Sequence, residues 1–238
     1  MRVLTLATAA LLTTAILSTA ACGQARGSGE GAAVLEGVDP DSVRAAADRN
    51  RMKGAESAQV TIVEISDFQC PYCAEFAQRT YPRIDSAYIA TGRARMLYIH
   101  LPLGNHPEAF RASEASMCAG AQGRFWEMHD RLFATQRDWS GAVDAVRRFE
   151  GMAEELELDM GAYRDCTLNG RTASIIVGDA MQAATAGISG TPSFIINAPG
   201  GQRALSGAVP FEQFAEALDS LLAAPAATPE APPQPQQP

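Results

Sequence analysis

Cys70-Pro71-Tyr72-Cys73 constrains this chain more than any other stretch, because it stands between two opposed periodicities. Before it, Val60-Thr61-Ile62-Val63-Glu64-Ile65 alternates as a strand does. After it, Phe76, Thr80, Ile84 and Tyr88 recur every fourth residue, the core-facing stripe of a helix. A helix opening at Cys70 puts Cys70 and Cys73 on one face of its first turn, near enough to close a disulfide with little backbone movement. Cys70 then meets the free N–H groups and the positive dipole end of that turn, which favours thiolate over thiol. The spacing predicts Cys70 as nucleophile and Cys73, one turn deeper, as the resolving thiol. Pro71 suits the first helical position, where its missing N–H is no loss. Pro82 should kink the same helix, expected over Cys70–Tyr88.

A zinc site would need a second ligand pair. Cys22, Cys118 and Cys166 with His100, His106 and His129 supply none at ligand spacing, so no metal is expected, and no cofactor. A purely structural Cys70–Cys73 bridge would close too short a loop to restrict the unfolded chain much. Redox use fits the pair better.

The 238 residues suffice for a full core, but the two ends do not read as globular. The net charge of −8, without a basic cluster, argues against nucleic acid as a partner. Residues 1–21 read as a secretory signal: Arg2, an apolar run from Val3 to Ile16 too short to span a bilayer, then small residues. Ala21-Cys22-Gly23 fits a bacterial lipoprotein leader with lipid on Cys22, although Thr19 stands where such leaders usually have leucine. Ordinary cleavage near Ala20 or Ala21 is the alternative. Either reading sends the chain to the cell envelope, and the first anchors it to a membrane surface. Five cysteines fit this account: Cys70 with Cys73, Cys118 with Cys166, and Cys22 left for lipid.

Residues 22–37 have the glycine and polar content of a flexible tether, and 224–238 form a proline- and glutamine-rich tail expected to be disordered. Between them we expect three parts: 38–106, carrying a weak helix around Asp41–Ala47, a strand over Gln59–Phe68 and a strand over Arg95–Leu101; a helical block over 107–187; and a closing part over 188–223. Glu64 shares a strand face with Val60 and Ile62, so it is either buried, with a raised pKa and able to take the proton of Cys73, or an exposed strand-end residue. His106 reads as a capping or loop residue, His100 as a satisfied strand residue, and Glu114, Glu127 and Asp130 as a solvated helix face. Helices are expected over Pro107–Ala119, Phe125–Ala134, Ala142–Met152, Asp159–Cys166 and Arg171–Ala186. Joining Cys118 to Cys166 would staple two of them, contributing about 4 kcal/mol by loop closure. A second catalytic couple is the sharper alternative.

Gly190-Thr191-Pro192-Ser193-Phe194-Ile195-Ile196 places a proline directly before a continuously apolar strand. A cis Thr191–Pro192 bond fits that position and would offer the Thr191 backbone to an extended peptide. A strand over Gln202–Ser206 and an amphipathic helix over Pro210–Leu222 close the fold.

This order of elements is that of an α/β thioredoxin-like fold with an inserted α-helical domain. The chain resembles the DsbA family of exported thiol-disulfide oxidoreductases from about Ala58 to Leu222. The resemblance rests on Val63 through Cys73, the run Cys118-Ala119-Gly120-Ala121-Gln122-Gly123-Arg124-Phe125-Trp126, and Gly190-Thr191-Pro192-Ser193-Phe194. It implies that Cys70 attacks, Cys73 resolves, Pro192 is the cis-proline and Glu64 the buried acid, with Pro71, Tyr72 and Thr191 facing substrate. It also implies a monomer that acts on reduced or unfolded exported polypeptides and is recharged by a membrane redox partner. Envelope reductase or isomerase is the alternative role, and a non-catalytic peptide-binding module the alternative class. Isomerases of this fold generally carry a dimerisation segment, whereas only a short linker and a weak helix precede the first strand here. Strong oxidants of the family often have histidine where Tyr72 stands. Tyrosine brings no positive charge, so the Cys70 pKa should be lowered less, and the potential should fall between about −270 and −120 mV.

Overall fold

The computed structural model describes residues 39–224. The expected signal, tether, Cys22 and tail lie outside them. Helix α1 (Pro40–Asn50) opens where the Asp39 carboxylate accepts the amides of Asp41 and Ser42. Next come β1 (Met52–Lys53) and β2 (Val60–Ser66), whose β-branched residues suit a pleated, two-sided environment. The segment after Cys70 runs as α2 (Pro71–Glu75), a π-helical turn (Phe76–Thr80), α3 (Tyr81–Ile84) and a second π turn (Asp85–Ile89). The single kinked helix expected there is thus a helix with two wide turns. Pro82 brings no N–H to the ladder, and the Tyr81 amide reaches back five residues to the Phe76 carbonyl. The chain returns through β3 (Ala94–His100), parallel to β2.

The helical insertion comprises α4 (Ala109–Gly120), α5 (Phe125–Ala134), α6 (Gln136–Trp139), α7 (Ala145–Glu155), α8 (Met160–Leu168) and α9 (Ala173–Thr185). Strands β4 (Ser193–Ala198) and β5 (Gly201–Ser206), with α10 (Phe211–Ala223), complete the thioredoxin part. The sheet order is β1-β3-β2-β4-β5, with only the β2–β3 pair parallel. Sequence patterning had no purchase on β1 or α6, which are two and four residues long.

Two apolar layers cover the sheet. On one, Val60, Ile62, Phe76, Ile84, Phe194 and Phe214 pack together; on the other, Ile65, Ile99 and Leu101 pack beneath Ala183 of α9. A third cluster, built on Phe125, Met128, Phe133, Trp139, Phe149 and Ile176 of the insertion, also contains Phe68, Cys70, Cys73 and Tyr98. The dithiol therefore sits in the seam between the insertion and the sheet. Arg51 ties the same seam: it pairs with Asp179 of α9, whose carboxylate also accepts the His100 amide at 2.9 Å. Burial pushes the Asp179 carboxyl up, and the Arg51 charge opposes that.

Two expectations need correction. Glu114 is not on a solvated face: it is 3% exposed, and Arg111 folds over it at 2.6 Å. Glu127 and Asp130 are exposed. His100 is not a satisfied side chain either, since its buried ring nitrogens have no partner, although its backbone N–H donates to Asp179. It lies among Phe68, Tyr98 and Phe125, where ring packing replaces hydrogen bonding.

Candidate active site

Cys70 stands at the N-cap position of α2 in extended conformation, with Pro71 at the first helical position. Both thiols are free. Cys70 keeps 4% of its surface and Cys73 none, while the neighbouring Pro71 and Tyr72 are exposed. Access to the sulfur of Cys70 is along that rim. The Thr191–Pro192 bond is cis, and the Thr191 carbonyl oxygen lies 3.4 Å from Cys70 Sγ, accepting from the thiol. Pro192 is buried and Thr191 half-buried beside the sulfur.

The two thiols are unequal. The Cys73 thiol, donating to Cys70, is the largest influence bringing Cys70 down to about 6; partial burial opposes it, and the Thr191 hydroxyl and the amides of Tyr72 and Cys73 add to the lowering. Burial, followed by the neighbouring Cys70 sulfur, pushes Cys73 well up, against the Ser66 hydroxyl and the Asp67 amide. At neutral pH the outer sulfur is therefore mostly thiolate and the inner one thiol, the division of labour that thiol exchange requires.

Glu64 is wholly buried, and neither carboxylate oxygen has a hydrogen-bond partner. Burial raises its carboxyl to about 8, with Ser66 acting the other way. Ser66, two residues on along β2 and so on the same face, acts on both the acid and the inner thiol, lowering each.

Sequence reasoning missed the residues that hold this loop. The Asp67 carboxylate accepts the Gln69 amide at 2.7 Å, the Leu103 amide at 2.8 Å and bonds His106 Nδ1 at 2.7 Å, tying the strand end to the loop after β3. Gln136 of α6 donates to the carbonyls of Phe68 at 2.7 Å and Cys70 at 3.0 Å. Gln69 reaches Glu108 and Ser140 of the insertion. The signal available was Asp67 and Gln69 between a buried strand and CPYC, where polar side chains need partners. Their partners are up to 71 residues away in sequence, beyond any local pattern. Cys118 and Cys166 form a disulfide between α4 and α8, with Cα atoms 5.8 Å apart and a sequence separation of 48, away from the dithiol loop in sequence. No group of histidine, cysteine and carboxylates suited to a metal occurs among the described residues.

A strand delivering a dithiol to a helix start, opposite a cis X–Pro loop, in a sheet of this order is the arrangement of a thioredoxin-fold redox protein. A family model described as Thioredoxin matches residues 46–220, and the chain belongs to that family. Among curated proteins, a 161-residue stretch is 38% identical to the Na(+)/H(+) antiporter NhaA 3 of Salinispora tropica, covering 67% of this chain and 22% of the relative. The Na(+)/H(+) antiporter NhaA 1 of Salinispora arenicola matches at 38% over 165 residues, 69% of this chain and 24% of that protein. The chain thus spans less than a quarter of the length of these curated relatives.

Among solved structures, alpha-DsbA1 of Wolbachia pipientis superposes with a TM-score of 0.66 at 22% identity, covering 72% of this chain and 90% of that one. Oxidised BdbD of Bacillus subtilis gives 0.65 at 20% identity, covering 72% and 92%. DsbA2 of Pseudomonas aeruginosa gives 0.59 at 26% identity, covering 72% and 93%. The molecule is a thioredoxin fold structurally close to several DsbA-like proteins, with a helical region inserted.

Proposed function

We propose that the chain is an extracytoplasmic thiol-disulfide oxidoreductase that hands a Cys70–Cys73 disulfide to cysteines of exported polypeptides. The observation that carries this reading is the inequality of the two thiols, with Cys70 lowered to about 6 beside the Thr191 carbonyl and Cys73 raised in the interior. A substrate thiolate attacks Cys70 Sγ; the Cys70–Cys73 bond breaks, and Cys73 leaves as thiolate and takes a proton. A second substrate thiolate then attacks the substrate sulfur of the mixed disulfide, and Cys70 leaves as the stabilised thiolate. Two substrate thiols become one disulfide, and the protein holds the electron pair as a dithiol until a membrane redox partner removes it. The Thr191 backbone lines up an extended peptide against the sulfur, and exposed Tyr72 and Pro71 form its other bank.

The block 107–187 then shields the inner thiol, the tether of residues 22–37 and lipid at Cys22 hold the body at a membrane surface, and the Cys118–Cys166 bond serves as a staple in an oxidising compartment. Ion transport, the activity in the names of the longer curated relatives, forms no part of this reading; no helix among the described residues is long and apolar enough to cross a membrane. The test is Cys70→Ser assayed with a reduced, unfolded substrate: an enzyme loses turnover, whereas a peptide-binding module keeps its affinity and had no turnover to lose. Thiol trapping in intact cells fixes the direction, since an oxidant is found mainly as the disulfide and a reductant mainly as the dithiol.

A further inference from the structure

We propose that His129 and Asp130 carry protons between the buried Ser66–Glu64 pair beside Cys73 and solvent. This rests on the thiol-exchange reading above and concerns how the inner thiol gains and loses its proton.

The β2–β3 register pairs Glu64 with Tyr98 and Ser66 with His100, two rungs apart with the Ile65–Ile99 pair between, so four polar side chains share one face of the sheet. Both Glu64 oxygens, Ser66 Oγ, Tyr98 Oη and both His100 nitrogens are buried without a hydrogen-bond partner, as are His129 Nε2 and Trp126 Nε1 on α5 above them. Buried polar atoms are nearly always paired, because leaving them unpaired costs their full desolvation. Beside a dithiol, such a row of unpartnered donors and acceptors supplies the groups that a proton path needs.

His129 is the member that reaches the surface. Its ring is 1% exposed, and Nδ1 lies 2.8 Å from the Oδ1 of Asp130, a carboxylate 61% exposed. Nδ1–H therefore donates outward, and Nε2 turns its lone pair inward. The groups facing this ring are Tyr98 of β3 and Tyr81 of α3, each with ring centres 5.5 Å away, with His100 of β3 behind and Lys53 of β1 bonded to the Tyr81 hydroxyl at 2.8 Å. Burial keeps His129 neutral against the pull of Asp130, and the charge of Glu64 is felt at both Tyr81 and Tyr98.

An acid raised to about 8 is mostly protonated at neutral pH, so Glu64 must release its own proton before it can take that of Cys73. When Cys73 attacks a mixed disulfide at Cys70, the Cys73–Cys70 bond forms, the bond from Cys70 to the departing sulfur breaks, and that sulfur leaves as thiolate. The Cys73 proton passes by Ser66 to Glu64. The Glu64 proton moves by way of water bridging the unpartnered Tyr98 hydroxyl to His129 Nε2, while Nδ1–H goes to Asp130 and on to solvent. In the opposite half-reaction Cys73 leaves as thiolate, the same transfers run inward, and the imidazole returns to its starting tautomer.

The test uses rapid mixing of the reduced protein with oxidised glutathione at neutral pH, following first the attack of Cys70 and then the release of glutathione by Cys73. With Asp130→Asn and with His129→Gln, the second step should slow by about tenfold or more with a larger solvent deuterium isotope effect, while the first step is unchanged. Asp130 is at the surface, so Asp130→Asn decides the matter alone should His129→Gln fail to fold. An unchanged second step in Asp130→Asn overturns the relay and leaves thiol exchange standing. Slowing in Lys53→Met only also overturns it, since the exit would then run by Tyr81. Absence of the first step in the unaltered protein sinks both readings.

Discussion

The chain contains two cysteine couples in opposite situations. Cys118 and Cys166 are joined between two helices and surrounded by core. Cys70 and Cys73 lie one turn apart at a helix start, free, and with affinities for protons driven in opposite directions. What distinguishes the couples is the length of chain each closes and the polar groups around it: amides, a hydroxyl and a carbonyl at Cys70, and packed side chains at the other pair. A long loop makes a bond useful for stability, and an unequal environment makes a short one useful for exchange.

The sharpest way to break this comparison is to remove each couple in turn. Cys70→Ser should reduce turnover with a reduced peptide to the uncatalysed rate, whereas Cys118→Ala with Cys166→Ala should leave turnover intact, as an insulin- or peptide-oxidation assay will show. The same double variant should lose about 4 kcal/mol in urea denaturation, the value for closing a loop of this length. Equal loss of turnover in both variants would mean that the second couple is also catalytic.

Glu64 sharpens the contrast further. Its folded pKa of about 8 lies above its ordinary value, so the folded state binds the extra proton between the two, and stability falls as pH rises through that window. Comparing wild type with Glu64→Gln in the oxidised form, where neither cysteine titrates, should show about 3 kcal/mol more loss in wild type between pH 5 and pH 8. Gln136→Leu strands the carbonyls of Phe68 and Cys70 and should cost about 2 kcal/mol, with faster hydrogen exchange confined to the amides around Cys70. The smallest effect belongs to Thr191→Val: removing the hydroxyl, a lesser contributor than the Cys73 thiol, should raise the pH midpoint of Cys70 alkylation by a fraction of a unit from near 6.

Periodicity made most of this architecture readable. β2 and β3 alternate or run apolar, the helix over Phe125–Ala134 has its expected bounds, and α10 buries Phe214, Leu218 and Leu221 at helical spacing. The errors have a common cause. Glu114 and His100 carry polar side chains whose burial is decided by elements distant in sequence, Arg111 aside, and a helical or strand pattern reports only which face a residue is on. Within the site, the two cysteines and the Thr191–Pro192 loop are local motifs and stand out in sequence. Asp67 and Gln136 act through backbone groups, which no residue pattern displays. The π turns were hidden because Pro82 announces a break in the ladder but not how the neighbouring amides rearrange around it.

That Gln136 reaches from the insertion to the backbone of the reactive turn has a consequence for engineering. Transplanting Cys70-Pro71-Tyr72-Cys73 onto a bare thioredoxin scaffold would move the letters of the motif and leave behind the lid that seats it. The smallest portable unit of this chemistry is the motif together with its cover, so a minimised version must keep α6 or design a donor in its place.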